Sequence, residues 1–98
     1  MFDKMKQLME MQNKMQEMKR ELEKSYFDVL SSDGLVKVTM NGAQEVREIV
    51  LQKDAQFQEK AILEKSLKDA YNRAIKHSHD IAAEKMKSIT GMNIPGLI

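Results

Sequence analysis

His77 and His79 stand two residues apart in the run His77-Ser78-His79. Paired imidazoles could ligate a metal ion, but side chains two apart on a helix point to different sides. The chain has no cysteine, so no thiolate supports such a site. Solvated histidines are expected, and no metal. The acidic pairs Glu21/Glu23 and Glu45/Glu48 could do general acid–base work, yet neither sits in a cleft-forming pattern. Charged residues make up 32% of the chain, so a solvated face is the expectation for both pairs. Ser31-Ser32 has no paired histidine nearby in sequence, and Gly34, Gly42, Gly91 and Gly96 form no phosphate-cradling loop. No catalytic constellation emerges. The chain is expected to be no enzyme and to need neither a cofactor nor a small-molecule substrate.

Basic side chains are the chemistry that remains. Lys6, Lys14, Lys19, Arg20 and Lys24 fall in the first quarter of the chain, and Arg73, Lys76, Lys85 and Lys87 in the last third. Lysines and arginines spaced along a track can neutralise successive phosphates of a nucleic acid. They are equally suited to keeping a surface soluble, interleaved as they are with Glu10, Glu17, Glu64 and Asp80. Taken alone, the interleaving favours the second role. Tyr26, Phe27 and Tyr71 are placed where core packing would use them, so no aromatic platform for single strands is expected.

Two long helices are needed to position these cations. Residues 2–24 contain no Gly or Pro and are rich in Met, Gln, Glu, Lys and Leu, which are strong helix formers. With Met1 at heptad position a, Leu8, Met15 and Leu22 repeat at a, while Met11 and Met18 fall at d. Lys4 and Ser25 break the d row at its ends. The stripe Leu8, Met11, Met15, Met18 and Leu22 is thus expected to pack in the core or in a dimer seam. Lys6, Asn13 and Arg20 share the outermost face, with Lys14 and Lys19 flanking the seam. Such a helix is roughly 35 Å long, too long to lie wholly on a three-stranded sheet.

The middle of the chain reads as strands over residues 26–30, 35–40 and about 44–51. Turn chemistry at Ser31-Ser32-Asp33-Gly34 separates the first two. Asn41-Gly42 favours positive φ at both central residues, which predicts a tight hairpin there. Val36, Val38 and Met40 share one strand face. Ile49 and Leu51 share a face on the next strand, and a bulge near the turn would bring Val46 into line with them. After a polar connection over residues 52–58, a second helix is expected over 59–89. Leu63, Leu67, Ala70, Tyr71 and Ala74 follow one face, interrupted at Ser78 and resumed at Ile81 and Ala82. The tail from Met92 cannot continue the helix past Pro95 and is either disordered or folded back as an apolar strap.

The fold class that follows is α+β: a long helix, a three-stranded antiparallel sheet, and a second long helix. All 98 residues fit one domain with a thin core, so self-association is expected. No membrane span or secretory signal is read from the first residues, and a soluble, cytoplasmic protein is expected. The net charge is only +1. Residues 1–24 hold six basic and five acidic side chains, 25–58 three and five, 59–98 seven and five. The ends are mildly basic and the middle mildly acidic.

The run Gly34-Leu35-Val36-Lys37-Val38-Thr39-Met40-Asn41-Gly42-Ala43 resembles the signature hairpin of the YbaB/EbfC family. Ala70-Tyr71-Asn72-Arg73-Ala74 is similar to that family's aromatic–Asn–x–Ala helix motif. Glu84-Lys85-Met86, Gly91-Met92 and Ile94-Pro95-Gly96 resemble its C-terminal pattern. The connection Gln52-Lys53-Asp54-Ala55 departs from it by lacking the common Asp-Pro. The resemblance implies an intertwined homodimer whose long helices project like tweezers. It also implies a bacterial nucleoid-associated protein that binds and reshapes double-stranded DNA, with roles in gene regulation and nucleoid protection. A rival reading from the residues themselves is a structural or adaptor dimer whose Met-rich helix grips a protein partner.

Overall fold

The computed structural model describes residues 2–52 and 54–90, so the expectations for the tail from Gly91 lie outside the described residues. The helix α1 runs Phe2–Lys24, the strands are β1 Tyr26–Leu30, β2 Val36–Asn41 and β3 Val46–Leu51, and α2 runs Lys60–Thr90. The polar connection contains one short 3-10 turn at Ala55–Phe57. The strands pair antiparallel in the order β1-β2-β3.

In the β1–β2 register Val29 faces Val38 and Phe27 faces Met40. In the β2–β3 register Val36 faces Leu51 and Val38 faces Ile49, then the ladder shifts so that Met40 faces Val46. The shift makes Arg47 an extra residue and puts Val46 on the same face as Ile49 and Leu51, as a bulge would require. The central row Val36, Val38 and Met40 is fully buried. Each such side chain contributes about 1.5–3 kcal/mol through its removal from water.

The helix α2 covers this row with small side chains. Ser66, Ala70, Ala74 and Ser78 repeat every four residues and are all buried. A stripe of that spacing lies along one helix face, and its small size lets the helix axis approach the sheet closely. Phe27, Val29 and Ile75 pack around the cluster, and the Phe27 and His77 rings meet in a T-shaped arrangement with centroids 4.4 Å apart.

The tight hairpin expected at Asn41-Gly42 is built differently. Asn41 remains in β2, and the positive φ falls at Gln44 (63°), not at Asn41 or Gly42. The loop closes because Asn41 Oδ1 accepts from the N–H groups of Ala43 and Glu45, each at 3.0 Å. The Asn41 amide then donates to the Glu23 carbonyl at 3.1 Å, and the Gly42 N–H to the Leu22 carbonyl at 3.0 Å. Carbonyls in the last turn of a helix have no partner within it, and here the hairpin tip supplies one.

A second fastening holds the β1–β2 turn to α2. Asp69 Oδ2 accepts from the Ser32 N–H at 2.7 Å and from its hydroxyl at 2.9 Å. Asp33 accepts from the Ser31 hydroxyl at 2.6 Å, from the Leu35 N–H at 3.1 Å, and from the Ser66 hydroxyl. With α2 fastened at the β1–β2 turn and α1 at the hairpin tip, the last turns of α2 continue past the hairpin beside the end of α1. The molecule is elongated, 65 Å in its longest extent.

Candidate nucleic-acid interface

The five candidate cations of α1, Lys6, Lys14, Lys19, Arg20 and Lys24, are all exposed. Lys6 and Arg20 lie on one stripe, fourteen residues or about 21 Å apart at 1.5 Å per residue. Lys19 and Arg20 line a shallow hollow with Gln16 and Glu23. Across the helix, Leu22 is buried and Met18 half-buried, while Leu8, Met11 and Met15 are exposed. The apolar stripe therefore splits. Its last turn belongs to the protomer's own core, and the rest has no cover among the described residues.

On α2, Arg73, Lys76 and Lys87 are exposed and Lys85 is half-buried. Lys76 and Lys87 are eleven residues apart and so share an outer face, about 16 Å from one another along the helix. Arg73 Nε lies 3.3 Å from Asp69 Oδ2, and Lys85 Nζ lies 3.8 Å from Glu21 Oε2. Among the described residues these are the two candidate cations already held by carboxylates. Both pairs are solvent-exposed, where an ion pair is worth about 0–1 kcal/mol, so a phosphate can displace either carboxylate. The Lys85–Glu21 pair joins the two helices. It sets Lys19, Arg20 and Lys24 on the same projecting arm as Lys85, while Arg73 and Lys76 stand over the sheet.

The serine–aspartate cluster at the β1–β2 turn opens onto a hollow lined also by Ile62 and Lys65. Its hydroxyls donate to carboxylates, and no imidazole joins the network. The Ser31 and Ser66 hydroxyls, followed by the Leu35 N–H, hold the Asp33 carboxyl below its ordinary range. The Ser32 N–H and hydroxyl, then Arg73, do the same for Asp69. The cluster fastens a turn. Among the described residues no three His, Cys, Asp or Glu side chains gather to hold a metal ion.

One surface is not evident from the sequence. Leu67 and Tyr71, expected on the sheet-covering face of the second helix, are 39% and 43% exposed. With Val46 and Ile49 of β3 they line an open apolar groove, rimmed by Glu64 and Lys68. The face that meets the sheet keeps Ala70, Ala74 and Ser78 of the expected stripe and takes Ser66 in place of Leu67 and Tyr71. Tyr26 is likewise not in the core: it is 47% exposed, with the Arg47 guanidinium 4.8 Å above its ring. Of the three aromatics expected inside, Phe27 alone packs against the core cluster.

A family model described as the YbaB/EbfC DNA-binding family matches residues 1–93. The chain belongs to that family. The match spans both helices, the sheet and the fastened hairpin, so the YbaB/EbfC assignment rests on nearly the whole chain and not on the hairpin motif alone. The fold is also that of the crystal structure of an uncharacterized protein from Helicobacter pylori. The two superpose with a TM-score of 0.77 at 18% identity, covering 93% of this chain and 98% of the other. No described helix of this YbaB/EbfC protein is long and apolar enough to cross a membrane.

Proposed function

We propose that this protein binds double-stranded DNA as a homodimer in the bacterial nucleoid, bends or bridges it, and thereby influences gene expression and protects the chromosome. The observation that carries the reading is the YbaB/EbfC DNA-binding match over residues 1–93. The geometry supports it with two helices that display exposed cations along their outer faces. Contacts of this kind position a protein on the duplex without reading its bases. Preference among sequences would then come from DNA shape and from the spacing of two symmetry-related arms.

Two features support a second copy as the partner. The chain exposes 7644 Å², against roughly 5,700 Å² expected for a monomeric protein of this mass. A standard interface removes about 800 Å² from each partner, well within that surplus. The β3–α2 groove is apolar, lies beside a sheet edge, and is the main contact proposed. The uncovered Leu8, Met11 and Met15 form a second, weaker contact between the arms, continuing the seam whose last members Met18 and Leu22 serve the protomer itself.

The exposed thioethers also fit an adaptor that grips a protein helix, the reading that follows if duplex DNA is not bound. The test is the triple variant Lys6→Glu, Lys14→Glu, Arg20→Glu. DNA affinity falls and the salt slope drops by about one for each phosphate that is no longer neutralised, while sedimentation still reports a dimer. Unchanged DNA affinity removes α1 from the interface.

A further inference from the structure

Among the described methionines, exposure runs from one extreme to the other. In the single protomer Met5, Met9, Met11 and Met15 of α1 are 64, 63, 63 and 49% exposed, whereas Met40 is fully buried. Exposed thioethers are open to two-electron oxidants, and the sulfoxide that results is polar and reversible by dedicated reductases.

We propose that the exposed thioethers of α1 are a reversible oxidation site whose modification opens the arms of the dimer. The oxidant is a peroxide. Its terminal oxygen is transferred to the thioether sulfur, the O–O bond breaks, and water leaves, so the sulfur gives up two electrons and becomes a sulfoxide. A sulfoxide reductase reverses the step with two thiols, which form a disulfide and release water.

Met11 and Met15 are seam positions, Met5 at position e flanks the seam, and Met9 at position b lies on the outer side of the helix. Within the protomer, Met18 and Leu22 are already engaged, which leaves Leu8, Met11 and Met15 to hold the arms together. A seam of under three heptads is marginal and opens readily. Oxidation traps the open state, because a polar sulfoxide at a or d no longer repays burial. The core is spared, since Met40 reacts only when α2 lifts from the sheet. The effect on DNA rests on the DNA-binding reading above; selective oxidation and loosened self-association do not.

The test uses the full-length chain treated with hydrogen peroxide and followed by peptide mass spectrometry, sedimentation and duplex titration. Met5, Met9, Met11 and Met15 gain oxygen more than about tenfold faster than Met40, whose reaction requires local unfolding. The dimer dissociation constant rises by at least about tenfold, as expected when two seam positions per chain lose apolar burial. Methionine sulfoxide reductase with a thiol restores it. The variant Met5→Leu, Met9→Leu, Met11→Leu, Met15→Leu keeps the dimer and ignores peroxide. DNA affinity follows the dimer through the same cycle. If untreated protein fails to bind duplex at low salt, the DNA reading falls and sedimentation alone decides the oxidation site. Equal oxidation of Met40, or selective oxidation with self-association unchanged, overturns the proposal.

Discussion

The backbone N–H of Gly42 donates to the carbonyl oxygen of Leu22 at 3.0 Å, tying the hairpin tip to the last turn of α1. A Cβ at position 42 would sit 2.8 Å from Leu22 Cδ2 and 3.2 Å from Ile81 Cγ2. Glycine is needed there for close approach, not for an unusual φ. Leu22 is 7% exposed, and its carbonyl oxygen would also lie 3.3 Å from that Cβ. Gly42→Ala is therefore expected to destabilise the fold by about 1–3 kcal/mol, the cost of overpacking a filled site. A urea titration checks this through its midpoint at unchanged slope. A midpoint equal to wild type would mean that the arm and the hairpin are less tightly joined than these distances require.

The turn held by Asp33 and Asp69 should be acid-sensitive. Hydrogen bonds from Ser31 and Ser66 to Asp33, and from Ser32 to Asp69, favour the charged carboxylates in the folded state. The unfolded chain takes up its protons near the ordinary value of about 3.9, while the folded one resists to lower pH. The stabilisation is complete above that value and is lost as pH falls through the lowered folded values. Urea midpoints at pH 7 and pH 3 should differ more for wild type than for the variant Asp33→Asn, Asp69→Asn. Equal differences would dissociate the two aspartates from acid unfolding.

The β3–α2 groove makes a sharp prediction about assembly. Ile49 is 48% exposed in the protomer, so Ile49→Asp leaves the intramolecular core intact. In a dimer the same carboxylate would be buried without a partner, which is strongly unfavourable. The variant is expected to keep its circular dichroism spectrum and to sediment as a monomer at micromolar concentration. A persisting dimer would place the main interface elsewhere.

Much of this fold is legible in the residues, and the departures have physical causes. The helix over residues 2–24 and the three strands announce themselves because propensity and polarity alternate as each element requires. The hairpin's place is equally plain, but its mechanism is not. Asn41-Gly42 suggests a two-residue turn, and the need for glycine comes from Leu22, twenty residues away. The covering face of α2 differs from the expected one because periodicity weighs polarity, whereas close packing on a flat sheet selects for size. Ser66 and Ser78 are small enough to be buried, and Leu67 and Tyr71 are displaced toward β3. At the candidate interface, the Arg73–Asp69 pair is visible as an i, i+4 spacing. The Lys85–Glu21 pair is not, since only the fold brings the two helices together.

The central claim is that this chain binds duplex DNA through its phosphates. A fluorescence-anisotropy titration against a random duplex at about 50 and 200 mM salt tests it directly. Neutralising about five phosphates should lower the affinity several hundredfold across that range. Binding that is absent at the lower salt, or that is unchanged at the higher, would contradict the account.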